Sequence, residues 1–365
     1  MTGPGTGADY SPGKASPAGA SVSARLHRRW QATDPLLPAP ADPPPGCGAS
    51  LAVAGADGQT SATGTCEHWA GTADSLDLTW GAAVRFRLTP QIAGPDVAAA
   101  LDQLLTRWHD HLAAVSAAAG EDTAAVVNWP SRDVDGAVIL LQHGLSPRAV
   151  IAARPAGRHR GAPAEAPAPG SRWATATAGR AGPAGASPAG PAEAAQTPAA
   201  RQGVAIRRAA PADLDAVVRL GLAVIRFDAH FGTVVERPGT AAALRAEAAT
   251  ALASPDAWIW LADRDGEPVG LLYAERPEAA AWIAPMTGGA PVAYLELMGV
   301  LAGERGRGVG DAMVAHFHRE ADAAKVAVTL LHHDQVNPLS GPFWNQQRYR
   351  PLWTTWEARP ALTLR

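Results

Sequence analysis

Apolar positions fall into two groups along the chain, parted by residues 155–202, where there is no Ile, Leu, Val, Met, Phe or Tyr. In the first group, residues 83–88 alternate apolar and polar like a half-buried strand. Asp96 then opens a helix with Val97, Leu101, Leu104, Leu105 and Trp108 on its apolar positions. A buried run at 124–127 leads to a helix around 137–141, a stop at Gly144 and a closing strand at 150–153. The second group opens with a strand at 204–207. A helix follows from Pro211, with Leu214, Val217, Val218 and Leu222 on one face, and a second helix covers 241–252. Residues 258–262 and 269–273 predict a hairpin, since Asp265-Gly266 in its turn supplies left-handed positions.

The most informative stretch runs from Tyr294 to Asp311, a buried strand entering a glycine-rich turn and then a helix. Simple alternation puts Leu295, Leu297, Gly299 and Leu301 on one face of that strand and Tyr294, Glu296, Met298 and Val300 on the other. The turn is Arg305-Gly306-Arg307-Gly308-Val309-Gly310, with Asp311 opening the helix. Backbone N–H groups of Arg307, Gly308, Val309 and Gly310 at a helix N-terminus make an anion cradle. Neither a Gly-Lys-Ser/Thr loop nor the last glycine of a dinucleotide fingerprint is present.

Downstream, an apolar run at 326–331 is followed by Asn337-Pro338, then Phe343-Trp344 and Arg348-Tyr349-Arg350-Pro351. Together with Arg305, Gly308 and Gly310, this order resembles the cofactor motif and following block of GCN5-related N-acetyltransferases, over about 204–365. Two departures stand out: Arg348-Tyr349 replaces the family's Gly-Phe, and Phe343-Trp344 replaces its Phe-Tyr, which removes the tyrosine hydroxyl often used as general acid. Residues 131–154, with a helix ending Gly144-Leu145-Ser146-Pro147, resemble the block that follows the cofactor loop in the same family, without the loop itself.

The resemblance implies a mixed α/β (α+β) fold, a mostly antiparallel sheet flanked by helices. It would comprise a complete C-terminal lobe and an incomplete N-terminal one, similar to tandem members of the family. The expected organisation is an irregular N-terminal tail over 1–65, a degenerate lobe over 66–154, an extended linker over 155–202 and the catalytic lobe over 203–365. The implied activity is acyl transfer, acetyl by default, from acetyl-CoA to an amine of a small molecule. The rival readings are a non-catalytic acyl-CoA sensor and a protein N-terminal or lysine acetyltransferase. Met298 and Val300 would offer backbone groups to the pantetheine arm, Asn337 would contact it, and Phe343 and Trp344 would stand at the family's aromatic positions.

An amine acceptor is protonated at neutral pH, so a base is required. Glu296 is the acid of the central strand and the first candidate, an ion pair with an arginine being the structural alternative. His332 and His333 are second candidates, and Tyr349 or Tyr294 could assist as an acid. Asp228, His230 and Glu236 are suggestive of acceptor contacts. A thiol with a pKa of roughly 8.5 can leave as thiolate without a positioned donor.

Composition narrows the classes further. The chain has 365 residues, 47% of them hydrophobic, and a formal net charge of −3, so it presents no electrostatic case for nucleic acid or an anionic membrane. Lys14 and Lys325 are its two lysines; arginine, alanine, glycine and proline dominate, as in GC-rich bacterial genes. Cys47 and Cys66 lack a Cys-x-x-Cys spacing, and with His68 they do not make a convincing metal site. A cytoplasmic, metal-free enzyme is expected, and the sequence leaves a homodimer open.

Overall fold

The computed structural model describes residues 17–41, 48–55, 58, 60–72, 74–94, 96–116, 120–157 and 203–365, with backbone alone for 17–22. The linker expected over 155–202 lies outside the described residues from 158 onward, as does Cys47. Two compact units emerge. One comprises Met1–Ala70, Ala82–Pro147 and Thr354–Arg365, the other Gly71–Gly81 and Arg148–Trp353.

The first unit holds α1 (Pro17–Thr33), β1 (Ala49–Ala54), β2 (Thr60–Ala70), β3 (Val84–Ile92), α2 (Val97–Val115), β4 (Thr123–Pro130) and α3 (Val134–Gln142). Strands β1, β2 and β3 pair antiparallel in sequence, and β3 pairs β4 in parallel. Asp96 caps α2 as expected, its carboxylate accepting from Ala99 N at 2.9 Å. Leu101, Leu104, Leu105 and Trp108 are fully buried against Phe86, Leu88 and Val127.

The tail expected to be irregular up to residue 65 instead carries α1, β1 and the start of β2. Its low apolar content misled because backbone pairing does most of the ordering there. β1 matches β2 from Ala49↔Cys66 to Ala54↔Thr60, and only a few side chains, such as Leu26 and Leu37, need burial to fix the rest.

The second unit contains β5 (Ser146–Pro155) from Arg148 on, β6 (Ala205–Arg208), α4 (Leu214–Asp228), α5 (Thr240–Leu252), β7 (Trp258–Arg264), β8 (Glu267–Glu275), β9 (Val292–Val300), α6 (Val309–Ala323), β10 (Val328–Asp334), α7 (Ser340–Gln346) and the start of β11 (Arg350–Ala358). The order across this sheet is β5-β10-β9-β8-β7-β6. All neighbours are antiparallel except β9 and β10, which α6 connects in parallel. The β7–β8 turn has positive φ at both Asp265 (52°) and Gly266 (84°), the conformation an Asp-Gly pair favours. Phe317 of α6 is fully buried against Trp258 and Trp260, and truncating such a side chain costs about 3–5 kcal/mol.

Both halves of the chain therefore run strand, strand, helix, parallel strand, short helix, strand. The last strand of each half departs from the boundaries expected at 154 and 203. Residues 148–155 of β5 count with the second unit and 354–358 of β11 with the first.

β5 pairs antiparallel with the whole of β10, from Val328↔Pro155 to Asp334↔Ala149. A chain starting at residue 203 loses that partner and leaves β10 as an open edge. Such a fragment is expected to aggregate or melt well below the full chain in size-exclusion and circular-dichroism measurements; a monomer with the full chain's melting temperature would contradict this strand assignment.

Candidate functional site

The site is built on β9, and one residue sets its geometry. In the pairing with β8, Tyr273 faces Leu297 and Ala274 faces Leu295, so Glu296 is an extra residue without a partner. Such a bulge breaks the alternation and re-aims side chains. Leu295 packs in the core with Met298, Val300 and α6, whereas Leu297 packs with Val217, Val218 and Leu220 of α4. Gly299 also faces α4, since a Cβ there would lie 2.3 Å from Val224. The expected grouping of Leu295 with Leu297 and Gly299 is therefore corrected: the faces switch at Glu296.

The bulge has a second consequence. β9 pairs with β10 only from Val292↔Val328 to Leu295↔Leu331, although β9 continues to Val300 and β10 to Asp334. Past Leu295 the two parallel strands part, leaving the β10-facing backbone of β9 without a strand partner. A cleft of about 380 Å³ opens there, lined by Met298, Gly299 and Val300, by Arg305, Gly308, Val309, Gly310 and Asp311, and by Asn337, Phe343 and Trp344.

The turn between β9 and α6 has the strand–turn–helix form expected from its glycine spacing. Gly306 (φ 73°) and Gly308 (φ 77°) adopt left-handed conformations, and Gly308 caps α6. The first helical rung runs from Ala312 N to Gly308 O at 3.0 Å, so the N–H groups of the preceding turn lie before the ladder. Arg305 stacks over Phe227 at 4.3 Å, and its Nε donates to Val300 O at 3.1 Å, tying the turn back to β9. Asp311 accepts from Gln347 Nε2 at 2.5 Å. Arg307 does not line the cleft; its exposed side chain pairs with Glu304 at 3.3 Å.

Asn337 braces the cleft. Its Oδ1 accepts from Leu339 N at 3.0 Å and Ser340 N at 3.3 Å, and its Nδ2 donates to Asp228 Oδ1 at 3.0 Å. Asp228 lines the same cleft, and burial pushes its carboxyl up to about 6.

Glu296 lies two residues before Met298, turned toward α5. Among the described residues no arginine forms an ion pair with it. Burial, then Glu247, Glu275 and Asp77, push its carboxyl up to about 9, and it shares a hydrogen bond with Glu247, whose carboxyl burial also raises. Two carboxyls so placed hold a proton between them at neutral pH, because both cannot ionise at contact. Oε2 of Glu296 is sealed from solvent without a hydrogen-bond partner.

Tyr294 Oη and His332 Nδ1 are 3.0 Å apart, and Trp282 packs edge-on to Tyr294 and stacked on His332. Tyr349 does not belong to the site. Its side chain is buried against Trp344, and its hydroxyl meets His318 Nε2 at 3.3 Å, so it offers no acid to the cleft.

Sequence reading missed Glu247, Glu275 and Asp77. Glu275 could have been found from β8, where it alternates with Tyr273; Glu247 and Asp77 carry no local signal. Among the described residues no His, Cys, Asp or Glu group is arranged to hold a metal ion, and no helix is long and apolar enough to cross a membrane.

Residues 229–347 match the Acetyltransferase (GNAT) family model. Among solved structures, a GCN5-related N-acetyltransferase from Sphaerobacter thermophilus aligns over 86% of this chain and 81% of its own, with a TM-score of 0.50 at 14% identity. One from Kribbella flavida aligns over 86% and 90% with a TM-score of 0.40 at 15% identity. Another, from Ralstonia eutropha JMP134, aligns over 41% and 94% with a TM-score of 0.32 at 21% identity. No curated protein matches the chain in sequence. The first of these likenesses is one of fold.

The raised Glu296 carboxyl has a stability consequence. Its pKa in the folded protein lies above the ordinary glutamate value, so between that value and about pH 9 the folded state binds more protons than the unfolded one. Stability from this group is therefore present at low pH and lost as pH rises through the window. Glu296→Gln removes the titration, so its melting temperature should gain on wild type progressively from pH 5 to pH 9. A difference that stays flat across that range would mean the carboxyl is not buried as described.

Proposed function

We propose that this chain, whose residues 229–347 match the Acetyltransferase (GNAT) family model, is an acyl-CoA-dependent N-acyltransferase, moving acetyl from acetyl-CoA to an amine of a small molecule. The observation that carries the reading is the continuity of β9: one strand borders the anion cradle at its far end and presents an unpaired carboxyl pair at its bulge.

The residues present fit the cofactor. A diphosphate suits the N-terminal turn of α6, where left-handed Gly308 turns backbone N–H groups outward. The pantetheine arm suits the gap between β9 and β10, where the Met298 and Val300 backbone groups can pair with its amides as a further strand would. When bound, acyl-CoA supplies an activated thioester carbonyl. Phe343 and Trp344 form the apolar wall, and Asn337 holds the N-terminal end of α7 in place.

The protein's part in the chemistry is to take a proton from the incoming ammonium. The Glu296–Glu247 pair does this, because a cation beside it favours the ionised form and lowers the pKa that burial raised. Removing the substrate's proton then regenerates the neutral carboxyl that the free site prefers. The leaving thiolate needs no tyrosine, which agrees with Trp344 at the family's tyrosine position and with Tyr349 turned into the core. A sensor without catalysis is disfavoured, because Glu296 meets other carboxyls and, among the described residues, no arginine. A protein N-terminal or lysine acetyltransferase has no specific observation in its support.

A panel of amines assayed with acetyl-CoA by thiol release tests the reading. Glu296→Gln should lower turnover by roughly two to four orders of magnitude while leaving acetyl-CoA affinity unchanged. In the kcat/KM profile, Glu247→Gln should move the ascending limb to lower pH, since it removes a like charge beside Glu296. Near-normal turnover in Glu296→Gln would transfer the role of base to His332.

Gly308→Glu should abolish acetyl-CoA binding in titration calorimetry without loss of the folded circular-dichroism signal. The new carboxylate repels phosphate, and a non-glycine residue at φ 77° costs about 1 kcal/mol. Normal binding in this folded variant would mean the cradle lies elsewhere.

A further inference from the structure

One carboxyl of the cleft has no part in the chemistry above. Asp228 is the last residue of α4, a helix pressed so closely onto β9 that a Cβ on Gly299 would lie 2.3 Å from Val224. Asp228 follows Val224 by one helical turn on the same face, so both side chains line the cleft beside Met298 and Val300. Phe227 fixes this last turn, lying under the Arg305 guanidinium at 4.3 Å and edge-on to Phe231 at 5.4 Å.

The two oxygens of the Asp228 carboxyl differ in their surroundings. Oδ1 accepts from Asn337 Nδ2 at 3.0 Å. Oδ2 has no hydrogen-bond partner among the described residues, and it is not sealed from the cleft. Asn337 was expected to contact the pantetheine arm, but its own Oδ1 already receives the N–H groups of Leu339 at 3.0 Å and Ser340 at 3.3 Å. An amide oxygen so engaged has no lone pair left for a ligand. Asp228 Oδ2 offers the acceptor that Asn337 cannot, and the arm carries the matching donors, amide N–H groups and a hydroxyl. The charged groups acting on Asp228 are Asp334 of β10, which favours its neutral form, and Arg305, which favours its ionised form. Burial outweighs both and sets the titration at about 6, so at neutral pH the group is mainly a carboxylate.

Resting on the reading of this cleft as an acyl-CoA site, we propose that Asp228 is a cofactor-specificity residue whose Oδ2 accepts a hydrogen bond from the pantetheine arm. Asn337 is then a positioning residue, holding the carboxyl through Oδ1. The cleft thereby selects the arm itself and not the nucleotide alone, and its preference for the arm depends on pH.

Titration calorimetry on the full chain tests this with acetyl-CoA and with adenosine 3′,5′-bisphosphate, which has phosphates and no arm. Asp228→Asn keeps an oxygen for Asn337 and presents an NH2 group where the arm requires an acceptor. At pH 7.5 the variant should bind acetyl-CoA about tenfold more weakly than wild type, as expected for loss of a hydrogen bond to a charged group. Its affinity for the bisphosphate should equal that of wild type, which also serves as the check that the cleft is folded. The acetyl-CoA gap should close as pH falls to 5, because wild-type Asp228 then takes up its proton; titration of the ligand's phosphates is common to both proteins and cancels. Unchanged or tighter acetyl-CoA binding in the variant, equal losses for both ligands, or a gap that persists at pH 5 overturns the proposal. The expected binding pattern without thiol release from any amine overturns the N-acyltransferase reading and leaves the arm contact standing. A wild type that binds no acetyl-CoA overturns both.

Discussion

The placement of one unpaired residue, Glu296, governs the rest of the second unit. By adding a residue to β9 opposite β8, it turns Leu297 and Gly299 toward α4 while Leu295, Met298 and Val300 face α6. Both cores are satisfied only with that switch in register, because a shift of one residue moves every later side chain to the other face. The same switch coincides with the end of the β9–β10 ladder at Leu295 and Leu331, so the local twist of a bulge opens the cleft. Cleft and carboxyl are therefore products of a single defect.

A protein that buries a carboxyl beside three others gives up stability for it. The cost falls on the ionised form, so the site rests neutral and becomes charged when a cation arrives. Sites poised in this way combine a stability deficit with readiness to move a proton, the usual trade between stability and activity.

The cradle was legible because its chemistry is local. Gly306, Gly308 and Gly310 sit between a strand and a helix, and the left-handed φ values at the first two follow from short-range sterics. The Asp-Gly turn of β7–β8 and the Asp96 cap of α2 were readable for the same reason. Arg307 is expected in the cradle through its backbone N–H, and its side chain pairs with Glu304 outside the cleft. Tyr349 was considered for an acid by residue type, and packing with Trp344 and His318 put it in the core.

The sequence by itself determined the strand–turn–helix order, the phosphate-suited turn and the acid on the central strand, because each depends on neighbours a few residues away. Only the tertiary structure decided where the alternation on β9 breaks, which acids meet Glu296, and that β5 and residues 71–81 join the second unit. Those outcomes depend on pairing between segments distant in the chain. A bulge is invisible until its partner strand is known, and Asp77 and Glu296 are brought into electrostatic reach only by the packing of residues 71–81 on α4 and α5.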